Sequence, residues 1–92
     1  MNRAEFLAGR QVGIEHLREA LELTTDVVER GTIARDLGNA YTVVDRFTDT
    51  VAVIERALEE LGDRERLLAQ ALEAQLIGAA GLHLSTRPTH RR

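Results

Sequence analysis

Histidine is the side chain whose proton exchange and metal binding fall nearest neutral pH, so the histidines come first. There are three, His16, His83 and His90, and the first two lie in or beside helically patterned segments. A carboxylate-bridged metal site in a helical bundle uses Glu-x-x-His, because a three-residue step puts both ligands on one helix face. His16 follows Glu15 directly, and neither His16 nor His83 has a glutamate three residues before it. That spacing argues against a resident metal, and no cofactor is expected. Ser85 is the only serine and lies in the tail, where a nucleophile has no setting; cysteine is absent altogether. A disulfide framework, a thiolate metal site and a cysteine nucleophile are thereby excluded.

Arg10 and His16 are separated by five residues, with the polar Gln11 directly after the arginine. This resembles the arginine–four-to-six–histidine motif of HEPN-type ribonucleases, helical proteins in which the pair meets across a dimer to cut RNA. The resemblance covers seven residues, 10–16, and implies that Arg10 and His16 are a catalytic pair. General acid–base chemistry on RNA needs a cleft that accepts phosphate. The segment around the pair instead carries Glu15, Glu19, Glu22, Asp26 and Glu29. The chain is therefore expected not to be an enzyme, with a ribonuclease using Arg10 and His16 as the weaker alternative.

Charge separates a body from a tail. All twelve basic residues are arginine, as coding in a GC-rich genome would produce. Three of them, Arg87, Arg91 and Arg92, lie in residues 85–92, which leaves nine arginines against fifteen acidic residues, or −6, on the body. A body that acidic repels a polyanion. The three aromatics (Phe6, Tyr41 and Phe47) leave little for base stacking. Anion or nucleic-acid contact, if any, falls to Arg87, Arg91 and Arg92. That would make the chain a nucleic-acid-associated regulator, the alternative function.

These residues must be positioned by helices, and the decisive stretch is AYTVVDRFTDTVAVIERAL at 40–58. Its Val, Thr, Tyr and Phe favour strands by propensity. Its period does not. Ile33, Leu37, Ala40, Val44, Phe47, Val51, Ile54, Leu58 and Leu61 follow steps of four and three without a slip, the 3.5-residue repeat of a coiled-coil-like seam. At about 1.5 Å per residue, residues 33–61 would form a rod of roughly 43 Å. Leu7, Ile14, Leu21 and Val28 recur every seven residues in the first segment, with Leu17 and Thr24 between them. Asn2 and Glu5 have capping-box spacing at its start. Gly31 suits a C-terminal cap and Thr32 an N-cap, so the first two helices should run antiparallel. Gly62–Asp63 can end the second helix and cap a third, although the same frame continues through Leu68, Leu72, Ala79 and Leu82, so one continuous helix from 33 to 84 stays open. Gly38–Asn39 is a further point where the middle helix could kink.

The expected fold is thus all-α, a long antiparallel helical hairpin with a third C-terminal helix. The helices would span about 3–30, 32–61 and 63–84 of a single domain, 1–84, followed by a disordered basic tail, 85–92. Length and heptad seams look similar to the small secreted helical hairpins of the Trp-x-Gly class, but their Trp-x-Gly turn is missing because the chain has no tryptophan. MNRAEF has no apolar core of signal-peptide type, and the run LIGAAGLHL at 76–84 is too short to span a bilayer, so a cytoplasmic location is expected.

A small helical scaffold has little stability margin, because burial and conformational entropy nearly cancel. Association would bury more apolar surface per ordered residue. The sequence therefore points to a helical interaction module that acts as an adaptor, assembly factor or inhibitor-type regulator. It would work as a homodimer or higher oligomer, or with a heteromeric protein partner, and not in a membrane. Its seam would set Leu37, Val44, Phe47, Val51, Ile54 and Leu58 against Ile14, Leu17 and Leu21.

Overall fold

A computed structural model describes residues 2–86, with side chains through residue 81. Among the described residues there is no strand, and four helices follow one another: α1 (Arg3–Leu23), α2 (Val27–Val43), α3 (Phe47–Leu61) and α4 (Arg66–Thr86). The all-α class agrees with the heptad pattern; the count of three helices does not. Residues 87–92 lie outside the described residues, so the expectation of a disordered tail is not addressed.

The first correction concerns the helix expected at 3–30, which stops at Leu23. Asp26, grouped by sequence with the outward acidic residues, is the N-cap of α2 and accepts from the Glu29 amide at 2.9 Å. Gly31 and Thr32 are therefore not caps. Both lie inside α2, where the Thr32 hydroxyl donates back to the Val28 carbonyl at 3.2 Å. The start of α1 is as its sequence predicts: Asn2 accepts from the Glu5 amide, and Glu5 accepts from the Asn2 amide.

The second correction is to the long rod at 33–61. It breaks at Val44–Asp45–Arg46, where Asp45 takes a left-handed φ of 64°. Aspartate tolerates that region better than most residues. The Arg46 and Val44 amides both donate to the Tyr41 carbonyl, and the Asp45 amide donates to Thr42, which closes the turn without glycine or proline. Gly38–Asn39 is not the kink. The third boundary falls where Gly62 marks it, with φ of 58°, but α4 begins only at Arg66, so Asp63 does not cap it directly.

Three helices, α2, α3 and α4, are mutually packed, while the backbone of α1 packs on α2 alone. The result is a slab of 39 × 38 × 17 Å. Two apolar clusters hold it. Ile14 from α1 meets Leu37 and Tyr41 from α2, with Leu17, Leu21, Ala40, Val44 and, from α3, Val53 against them. Ala34, Ile54, Ala57, Leu61 and Leu72 join α2, α3 and α4. Thr50 is fully buried between α2 and α3, with its hydroxyl 3.0 Å from the Gly38 carbonyl and 3.1 Å from the Thr42 hydroxyl. Thr42 donates to the same carbonyl at 2.9 Å. These threonines, unfavourable by helix propensity, satisfy their hydroxyls on carbonyls four residues back and then across the helix pair.

Gly38 allows this approach. A Cβ there would lie 2.6 Å from Gln75 Nε2 and 3.1 Å from Ile54 Cδ1. Gln75 would have to abandon its bonds to the Arg35 carbonyl (3.0 Å) and Asn39 Oδ1 (3.2 Å), which tie α4 to α2. Gly38→Ala is therefore expected to destabilise the chain by about 1–3 kcal/mol, exceeding the helix-propensity gain of roughly 1 kcal/mol. Gly13→Ala is the contrast: nothing lies within 4 Å of its Cβ, so helix propensity alone should act and raise stability. Thermal unfolding of the two variants, followed by far-UV circular dichroism, checks that they shift in opposite directions.

Candidate interaction surfaces

The 44–46 corner divides the predicted seam between two internal clusters. Ile14 and Leu37 are buried together, with Leu17, Leu21 and Val44 half-buried beside them. Ile54 is fully buried in the other cluster and Leu58 packs against it. Phe47 and Val51 are half-buried and belong to neither cluster. Most of the heptad face is thus covered by the chain's own helices.

Apolar surface remains elsewhere. Leu67 is 79% exposed and Ile77 73% exposed on α4. At helical spacing they share a face with Gln70, Ala74, Gly78 and Gly81, all exposed. The opposite face, with Leu72 and Ala79 buried, packs on α3 and α2. Arg66 and Glu73 are the only arginine, lysine or acidic residues in α4. Inspection of the α4 sequence for its buried stripe alone overlooks this second side, whose signal was the lack of charge around the helix.

The other concave feature follows from the position of α1. Because the backbones of α1 and α3 pack on α2 and not on one another, a cleft of about 500 Å³ opens between them. Leu21, Leu37, Tyr41, Ala52 and Val53 are its apolar lining, and Arg18, Glu22, Asp49 and Arg56 its charged edge.

Arg30 closes one end of that cleft. Its guanidinium donates to Glu60 at 2.9 and 3.3 Å, to the Thr24 carbonyl at 3.0 Å, and to the Leu21 carbonyl. One side chain on α2 thereby holds both the C-terminal end of α1 and the C-terminal half of α3. The hydrogen bond from Arg30 holds the Glu60 carboxyl below the usual carboxylate range, against the opposing effect of burial, with Arg56 at 3.3 Å adding to the lowering. Sequence reasoning missed Arg30 because its partners lie 6, 9 and 30 residues away.

Arg10 and His16 are both exposed on α1, and the Arg10 guanidinium lies over the Phe6 ring at 5.2 Å. Six residues apart on a helix places them about 120° apart around the axis and about 9 Å along it, so one chain does not bring them together. Arg87, Arg91 and Arg92 lie outside the described residues. Among the described residues no cluster of three His, Asp or Glu side chains could hold a metal ion, and no helix is long and apolar enough to cross a membrane. Comparison with protein-family models, curated proteins and solved structures finds no match to this chain.

Proposed function

We propose that this protein is a cytoplasmic helical association module, an adaptor, assembly factor or inhibitor-type regulator, that pairs with a second copy through the outward face of α4. The observation that carries this reading is the exposure of Leu67 and Ile77 on a helix whose only charged residues are Arg66 and Glu73. Helices of that composition are normally covered all round.

A two-fold dimer brings identical patches together, so a face survives self-association only if it does not repel itself. The exposed α4 face carries no charge between Leu67 and Gly81 except at the flanking Glu73, whereas the outer side of α1 would set Glu15, Glu19 and Glu22 against their own copies. An antiparallel pairing that overlaps the whole face has its axis at Ala74, midway between 67 and 81. It brings only the Glu73 carboxylates together, at the exposed rim where solvent and salt screen them. Leu67 of one copy then faces Gly81 of the other, and Ile77 faces Ala71. Large side chains meet small ones, which favours close helix approach. A heteromeric partner with a similar apolar helix would use the same surface.

Light scattering across a range of concentrations should show a mass rising from 10.2 kDa towards twice that value. Ile77→Glu should remain at 10.2 kDa throughout with unchanged helicity. Since the chain has no cysteine, Ala74→Cys should give a disulfide-linked dimer on mild oxidation. A constant monomeric mass for the natural chain removes the homodimer. A dimer that persists in Ile77→Glu removes this face.

A further inference from the structure

We propose that the cleft between α1 and α3 binds a small amphipathic carboxylate. Its apolar body would lie on Leu21, Ala52 and Val53, with its anionic head between Arg18 and Arg56 and in reach of Tyr41. The site belongs to one chain and does not depend on pairing through α4, so it stands or falls separately from the dimer.

Size is the first support. About 500 Å³ falls inside the range of roughly 300–1,000 Å³ typical of small-molecule sites, and the lining combines four aliphatic residues and a tyrosine with five charged residues. The lining is open because the backbones of α1 and α3 each pack on α2 and not on one another, which leaves Leu21, Ala52 and Val53 at least partly exposed along the gap.

Tyr41 is the second. It is only 6% exposed, borders the cleft, and its hydroxyl has no hydrogen-bond partner among the described residues. Its ring is engaged instead, under the Arg46 guanidinium at 4.7 Å. A buried phenol ordinarily finds a polar partner, and a site that leaves one unmatched leaves room for a ligand atom to supply it.

Charge chooses the ligand's head. Three arginines and two carboxylates edge the cleft. Asp49 is already held by Arg46 at 2.7 Å, and Arg30 is spent on Glu60 and two carbonyls. Arg18 has no ion pair among the described residues, and Arg56 has only a share of Glu60 at 3.3 Å. Of the rim's charges, Glu22 likewise has no ion pair among the described residues, so one unpaired and one half-paired arginine stand against one unpaired carboxylate and the balance leans positive. Guanidinium recognises carboxylate with paired hydrogen bonds, and a cationic head would meet repulsion at the same place.

Tyr41 is the only tyrosine and there is no tryptophan, so intrinsic fluorescence reports from the cleft itself. Decanoate, added below its micelle concentration, should change that emission saturably, while decyltrimethylammonium of equal chain length should not. Arg18→Glu should weaken decanoate binding about tenfold or more, the loss of one charge-assisted contact. Arg18 makes no hydrogen bond or ion pair among the described residues, so this variant should keep its fold, and circular dichroism verifies that. Tyr41→Phe, followed by calorimetry, should bind more weakly than the natural chain. No saturable response to decanoate, equal binding of the cationic detergent, or unaltered affinity in Arg18→Glu each overturns the proposal.

Discussion

Ile54→Ala should lower the unfolding free energy by about 2–5 kcal/mol, a large part of the roughly 5–15 kcal/mol typical of small domains. Ile54 is fully buried in the cluster that joins α2, α3 and α4. Its side chain reaches the point where α2 approaches most closely, since Cδ1 would stand 3.1 Å from a Cβ on Gly38. Truncation removes buried methyl groups and leaves a cavity between three helices. Gly38 on the far side of that gap has no side chain with which to fill it. Urea unfolding at constant slope measures the effect. A loss under about 1 kcal/mol would mean that the helices close around the site and that the cluster is not the structural centre described here.

Arg30→Met should cost about 2–4 kcal/mol, and its pH dependence should reveal why. The substitution keeps most of the side-chain volume but strips the donors from Glu60 and from the Leu21 and Thr24 carbonyls. The figure sits at the low side of the range for a broken buried pair, because Arg30 and Glu60 keep 16% and 27% exposure and water partly screens the carboxylate left behind.

In the natural chain the Glu60 carboxyl titrates below its ordinary value of 4.5, chiefly through the Arg30 hydrogen bond. A carboxyl with a lowered folded-state pKa binds fewer protons folded than unfolded. Its contribution is therefore complete above the ordinary carboxylate range and is lost as pH falls through the folded value. Arg30→Met should abolish that contribution. Natural and variant stabilities should then differ most at neutral pH and converge in acid. Equal differences at both extremes would place the cost in packing alone.

Helix start signals were legible where the chemistry is local. Asn2 with Glu5 predicts the N-terminus of α1, and Gly62 predicts the end of α3, where it takes a positive φ. Asp26 and Glu29 have the same three-residue spacing as Asn2 and Glu5, yet the seven-residue step from Leu21 to Val28 concealed the boundary. Those two residues face different clusters, Leu21 towards Ile14 and Val28 towards Ile54. A repeat can thus continue in phase while the chain turns over.

The same holds at Val44–Asp45–Arg46. Val44 and Phe47 keep the three-residue step across the corner, so periodicity reports one helix where there are two. No glycine or proline marks the reversal. It depends on Asp45 entering the left-handed region and on two amides finding the Tyr41 carbonyl.

For the candidate surfaces, the apolar residues were visible but their fates were not. Spacing assigned Ile14, Leu17, Leu21, Leu37 and Ile54 to a greasy side, and the folded chain covers them with its own helices. It left Phe47 and Val51 half-covered, and put the exposed apolar face on α4. Likewise Arg30, Glu60 and Tyr41 acquire their environments from contacts too distant in sequence for any local pattern to contain.

From sequence alone came the helical class and two boundaries written in local capping chemistry, the start of α1 and the end of α3, because an apolar period and a cap are properties of neighbours along the chain. Tertiary structure alone decided where the rods reverse, which apolar side stays open, and how α1 and α3 frame a cleft, because whether a face is covered depends on which other helix arrives to cover it.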